Sequence, residues 1–442
     1  MFWTRKATAP LPTRQRVDIE LLLRRNIEAA GCDRVAKAPI AIDLSELNLD
    51  QSRPEALLSS ASRAVQSRMP QVPSSQSQEG DDIQISVVDS ETLAHPSTYS
   101  PASGSAVAKI AISDETIRDP LRTVMELAYQ HSNHFWHSIP NPTALDVDPR
   151  NTNLLPVCCG LGVLASEASL YDQQWTQAGW TGWSLSRSGY YSAIEIGYAL
   201  ELLRRTRGES NPAWMSSLRL DSKVTAEKAR VYFETHEKAG GRLLFDATSI
   251  PGTARDMTEL AKWLQGDDLA FAFAAGLALE QMKDLSPLVS EAAIKATHSK
   301  DPALVPLATR LLGRARSGGA DSESRVRQLV SNSSPYTSLA AIESASALGM
   351  PMAVFGKRIG KLLDQFAEDS FSLLEIIGQQ GKSFGFLAPK ICEHIARAIV
   401  SIDEDLTQAL VDCLRKISDD PRKMIENRIK SIEVRTEALQ RL

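Results

Sequence analysis

From Asp256 to the C-terminus the chain shows no convincing period-two alternation. Apolar residues recur there at helical spacing instead, which confines the region to helix packed on helix. The spacing predicts helices near 256–265, 268–282, 286–298, 302–314, 322–330, 336–348, 351–366, 370–379, 384–400, 404–418 and 420–440. Ala347-Leu348-Gly349 is echoed by Ile376-Ile377-Gly378, each followed by a further amphipathic helix, so helix pairs return about every 30 residues.

The preceding part, 14–240, reads as α+β. Apolar residues between Val17 and Ile27 keep helical spacing and stop at Gly31, a natural C-cap. A second helix is expected over Pro54–Met69, with a short strand over Pro39–Leu44 between the two. Ile83–Val88 and Val107–Ile112 alternate at period two and are expected to pair as neighbouring strands. Residues 70–80, rich in Pro, Ser and Gln, and 89–105, rich in Pro and Ser, are expected to be mobile loops, with residues 1–13 as a flexible N-terminus. Asp119 followed by Pro120 marks a helix start, an N-cap before a proline at the first helical position, and that helix runs toward His137. Further helices are predicted over Tyr190–Arg204 and Val224–Lys238. Ala239-Gly240-Gly241 is too short to cradle a phosphate; it opens a linker over 241–255 into the helical region of 256–442.

Of 442 residues, 43% are hydrophobic and 23% charged, the proportions of an ordinary globular protein. A net charge of −5 lacks the basic surplus of a nucleic-acid-binding chain, so no nucleic-acid partner is expected. Five cysteines, Cys32, Cys158, Cys159, Cys392 and Cys413, form no C-x-x-C pair, and reduced thiols are expected. The longest apolar run, Leu269 to Leu279, falls short of the roughly 20 residues that cross a bilayer. The N-terminus lacks the apolar core of a signal peptide, so the reading is a cytoplasmic protein without a membrane partner. There is no Ser nucleophile elbow, Walker loop or dinucleotide fingerprint.

What remains is a motif frame. Asp119-Pro120 opens the helix that carries Glu126-Leu127-Ala128; Gly160-Leu161-Gly162-Val163, Trp180-Thr181-Gly182-Trp183-Ser184, Gly189-Tyr190, Gly197-Tyr198-Ala199-Leu200 and Trp214 follow. Over about Val17 to Phe233 this resembles bacterial zinc-metallopeptidase-like (zincin-like) proteins of the His-Glu-x-x-His type. The resemblance implies two ligand histidines where Met125 and Tyr129 stand, a general base at Glu126, and an acidic ligand where Thr152-Asn153 stand. A thioether, a phenol and an amide are poor zinc ligands beside imidazole and carboxylate, and Glu126 alone cannot hold the ion. Met125, Tyr129, Ser132 and Trp136 share one helical face, a mostly apolar stripe expected to fill the old cleft. The helical region in turn resembles a degenerate HEAT-like array, although its period falls short of the 40 or so residues usual there; an irregular helical bundle is the alternative.

Two other arrangements carry chemistry on paper. His131, His134 and His137 fan over about 120° of one helix with the outer pair roughly 9 Å apart, so all three cannot reach one ion; a pair of them with Asp146 or Asp148 could. Trp175, Trp180, Trp183, Tyr190 and Tyr191, interleaved with glycines, form either a stacking surface for a sugar or peptide, with Arg187 for a carboxylate, or packing against the motif helix. The expected function is a non-catalytic interaction protein with a protein partner and no cofactor. The alternative is a metal-dependent hydrolase with a relocated zinc site using Glu126 and His131, His134 or His137. A ligand-binding module on Trp180, Trp183, Arg187 and Tyr190 is the third reading.

Overall fold

The computed structural model describes residues 8–71, 83–93, 95–102, 107–177, 180–186, 188–246, 256–315, 319–366 and 371–442, with 171–177 and 180–186 described by backbone alone. The chain divides into two compact units, residues 1–247 and 248–442.

In the first unit, α1 (Thr13–Ala30) ends on Gly31 at φ 90°, a conformation glycine adopts without a Cβ penalty. Leu11, inside the stretch expected to be flexible, is buried in the core; residues 1–7 lie outside the described residues. After α2 (Cys32–Lys37) the strand expected over 39–44 does not form. Pro39 has no N–H to give a ladder, and Ala41 N donates at 2.9 Å to Gly160 O, which ties this run to a turn instead. A 3-10 turn over Leu44–Leu47 takes the place of its end, and α3 (Pro54–Arg68) follows.

The expected strand pair is present as β1 (Gln84–Val88) and β3 (Lys109–Ser113), joined in parallel. β2 (Ser97–Ser100) lies antiparallel on the other side of β3 and corrects the reading of 89–105 as loop. Its Ser-Thr-Tyr-Ser sequence has no aliphatic alternation; β3 supplies its partners and so its structure. Residues 72–82, most of the other expected loop, and 94 and 103–106 lie outside the described residues.

Next come α4 (Pro120–Ser138), α5 (Pro149–Thr152), a widened turn over Val157–Leu161, α6 (Gly162–Ala168), and a hairpin of β4 (Tyr171–Gln177) with β5 (Trp180–Ser186), which the sequence reading did not foresee. α7 (Ala193–Thr206) starts at a capping box: Ser192 and Glu195 each satisfy the other's backbone N–H. α8 (Leu220–Lys238) packs on it closely because Gly197 has no Cβ; one would stand 2.3 Å from Ser222 O.

α4 packs against α3, α5, α6, β2 and β3. Trp136 Nε1 donates to Asn26 Oδ1 at 3.2 Å, and Asn26 Nδ2 donates to Asn151 Oδ1 at 2.9 Å, tying α4, α1 and α5 together. Buried Glu20 on α1 accepts from Tyr198 OH at 2.7 Å and from Phe245 N at 3.1 Å. That second bond builds the beginning of the 241–255 segment into the first unit.

The second unit is entirely helical among its described residues. Its helices are α9 (Met257–Leu264), α10 (Leu269–Gln281), α11 (Pro287–Ala296), α12 (Leu304–Arg314), α13 (Gly319–Val330), α14 (Pro335–Ala347), α15 (Gly356–Gln365), α16 (Phe371–Gln380), α17 (Ala388–Val400), α18 (Glu404–Ile417), α19 (Pro421–Arg428) and α20 (Ile432–Gln440). The single helix expected over 420–440 is divided. Ile429 leaves the helical region with its side chain buried, and Ser431 caps a new start by accepting from Val434 N.

These helices stack in two rows. In the even row, α10 packs on α12, α12 on α14, α14 on α16 and α16 on α18; in the odd row, α9 packs on α11 and α11 on α13. The polar contacts keep that order at a nearly constant sequence interval. Lys295 donates to Gln265 at 2.9 Å and Arg310 to Glu280 at 2.5 Å, both 30 residues apart, and Ser372 donates to Glu343 at 2.7 Å across 29. Cations from one helix also reach backbone carbonyls of the helix two before it or just past its end: Arg325 to Thr297 O at the C-cap of α11 at 3.0 Å, Arg358 to Asn332 O just beyond α13 at 2.8 Å, and Lys390 to Gly360 O inside α15 at 2.8 Å. C-terminal carbonyls lack partners within their own helix and carry the negative end of its dipole, and the Arg325 contact to Thr297 O satisfies both needs at the end of α11. Among the described residues no helix is long and apolar enough to cross a membrane.

Candidate functional site

The motif helix α4 starts where Asp119 accepts from Arg122 N at 2.8 Å, with Pro120 at the first helical position. From that start, Met125, Tyr129, Ser132 and Trp136 fall on one face, and all four are buried. Ser132 donates to Thr152 O, which draws the stripe against the segment where the resemblance places a third ligand.

Glu126 is 6% exposed, and each of its oxygens has a hydroxyl donor: Ser97 of β2 to Oε2 at 2.6 Å, and Ser188 to Oε1 at 2.6 Å. Behind Ser97 the line continues. Gln130 Nε2 donates to Ser97 Oγ at 2.7 Å, and Asn133 Nδ2 donates to Gln130 Oε1 at 2.8 Å. The hydroxyl of Ser97 therefore both gives and receives, and its direction is set.

Residues 188–191 form a strip across this centre. Gly189, at φ 78°, lies directly on Tyr129: a Cβ there would stand 2.6 Å from the phenolic oxygen. Tyr190 N donates to Asn153 Oδ1 at 2.8 Å, and Tyr191 OH donates to Arg150 O at 2.8 Å. The three positions where ligands are expected are thus a buried thioether, a phenol under a glycine, and an amide whose oxygen already accepts a backbone N–H. Zinc, implied by the resemblance, does not fit this donor set.

The three histidines of α4 have separate surroundings. His134 Nδ1 lies 3.1 Å from Tyr99 OH, and His137 Nδ1 donates to Asn133 O at 2.8 Å. His131 is buried, and its Nε2 has no hydrogen-bond partner among the described residues. Asp146 accepts from Thr143 N at 2.8 Å and pairs with Arg25, while Asp148 receives Arg150 Nη2 at 2.8 Å. Among the described residues no three His, Cys, Asp or Glu side chains are grouped to hold a metal. Trp180 and Trp183 lie on β5, where only the backbone is described. Arg187 lies outside the described residues, and Tyr190 is 47% exposed with its ring edge-to-face on Tyr191.

Burial, with the charge of His134 adding to it, pushes His131 down to about 4. The unfolded chain takes up this proton near the ordinary 6.5, so stability is complete above that pH and is lost as the pH falls toward 4. The gap corresponds to about 3 kcal/mol. Urea melts at pH 7 and pH 4.5 should show a steeper loss for the natural chain than for His131→Gln, and equal losses would remove the assignment.

Ser97, Ser188 and Gln130 were missed by the sequence reading. Ser97 and Ser188 lie 29 and 62 residues from Glu126, and a serine at such a distance has no local signature. The chain matches no protein-family model, and comparison with curated proteins likewise gives no match.

Proposed function

We propose that the chain is a non-catalytic interaction protein, in which a zincin-like first unit without its metal chemistry accompanies a HEAT-like helical array that carries a protein-binding surface. The observation that carries the first half is the state of Glu126. A general base needs a free lone pair directed at water in an open cleft. Here both carboxyl oxygens are taken by Ser97 and Ser188 in a buried position, with Tyr129 filling the space beside them beneath Gly189.

Support for the array comes from the 30-residue interval of its contacts, since each helix pair leans on the pair before it, as in stacked repeats. Such stacks offer extended surfaces suited to protein recognition. Tyr336, Val354, Phe371 and Phe386 supply exposed apolar anchors on this unit.

The test is the metal content of untagged full-length protein after zinc loading and dialysis, run beside a His131→Ala/His134→Ala variant. The expected result is no retained zinc in either. About one equivalent in the natural chain, lost in the variant, overturns the reading in favour of a relocated metal site.

A further inference from the structure

The strip that closes the motif centre has an outer side, and that side borders a cavity of about 340 Å³ lined by Arg14, Asp18, Arg150, Tyr190, Tyr191 and Glu195. Its size is at the small end of the range for ligand pockets. Asp18 gives the cavity its chemistry. Arg150 Nη1 approaches its carboxylate only to 3.6 Å, because Arg150 spends Nε and Nη2 on Asp148 at 3.0 and 2.8 Å. Burial accordingly pushes the Asp18 carboxyl up despite the charges of Arg150 and Arg14. A mostly buried carboxylate with no close donor among the described residues favours a cation brought in from outside.

The neighbours agree with that preference. Glu195 adds a second carboxylate, oriented by Ser192 N at 2.8 Å and Ser192 Oγ at 2.6 Å onto Oε2. Tyr190 presents a half-exposed ring at the rim, held edge-to-face by Tyr191 at 5.1 Å between centroids, a surface on which organic cations settle. Arg150 is engaged by two aspartates and has little to offer an anion, while exposed Arg14 stands at the mouth.

We infer that this cavity binds a small free organic cation, an ammonium or guanidinium compound, through Asp18 and Glu195 with its charged end against Tyr190. The inference goes beyond the proposed function and does not depend on the fate of the motif centre.

The experiment titrates full-length protein with agmatine, ethylammonium and sodium acetate, followed by calorimetry and ligand-observed NMR. Agmatine and ethylammonium should bind saturably and acetate should not. Asp18→Asn and, separately, Tyr190→Ala should each weaken agmatine by about tenfold or more. Thermal melts of both variants establish folding, and the rim position of Tyr190 leaves a folded test where Asp18→Asn fails. Absence of saturable cation binding, agmatine binding unchanged in the folded variants, or preferential binding of acetate overturns the inference.

Discussion

Glu126→Ala should destabilise the first unit by about 3 kcal/mol, whereas Glu126→Gln should cost about 1 kcal/mol. In a working zinc site this glutamate faces a water-filled cleft, and its loss removes rate while leaving stability nearly untouched. Here its two oxygens terminate hydroxyls from Ser97 of β2 and Ser188 of the closing strip, and the alanine variant leaves both hydroxyls buried without an acceptor. Glutamine keeps the shape and one acceptor oxygen but must present an NH₂ to the other serine. Gln130 already donates to Ser97, so the flipped amide that points its NH₂ toward Ser97 is the less favourable one. Denaturant unfolding, with hydrogen exchange of the α4 amides to assign the loss to this unit, measures both variants. Unchanged stability in Glu126→Ala would remove the structural role given to this side chain.

Gly160→Ala should cost about 3 kcal/mol, the sum of about 1–2 for a left-handed residue with a Cβ and a similar amount for steric overlap. Gly160 has φ 86°, and a Cβ there would stand 2.2 Å from the carbonyl oxygen of Pro39. That carbonyl has no easy retreat. Arg68 Nη1 donates to it at 2.5 Å, and two residues on, Ala41 N is bound at 2.9 Å to the carbonyl of Gly160 itself. Gly240→Ala is the control. It has φ 82° but nothing within 4 Å of the missing Cβ, so only the conformational part, about 1–2 kcal/mol, should appear. Denaturation midpoints of the two variants separate clash from backbone strain, and equal losses would show that the Pro39 contact relaxes freely.

Both residues show which parts of the molecule can be read from a linear sequence. The start of α4 was legible because Asp119-Pro120 is a local device, and the filled face of Met125, Tyr129, Ser132 and Trp136 followed from helical spacing alone. The helices after 256 were legible for the same reason. Strands were harder. β1 and β3 announced themselves by aliphatic alternation, whereas β2 is polar and is specified by its neighbour, and the β4–β5 hairpin is written in Gln, Thr, Trp and Gly. The expected strand at 39–44 does not form because Ile40, Ala41 and Ile42 pack onto the first unit's core while Ala41 N is bound to the Gly160 turn. The donors to Glu126 come from distant segments, and the cavity beside Asp18 is assembled from α1, α5 and the start of α7; no spacing rule reaches across such distances.

The interval that runs through the second unit has a bearing on how such a chain can change over time. A core in which every element touches many others fixes its own length, because removing one member exposes all the rest. Where α12 rests on α10, and α14 on α12, a deletion or duplication of one interval leaves the remaining joints with the same kind of neighbour they had before. Damage stays near its origin by the same logic: a poor helix such as α12 disturbs α10 and α14 in its own row and α11 and α13 beside it. A stacked array of this kind could change length in whole steps, whereas the first unit, tied together through Glu20, Asn26 and Glu126, has no such freedom.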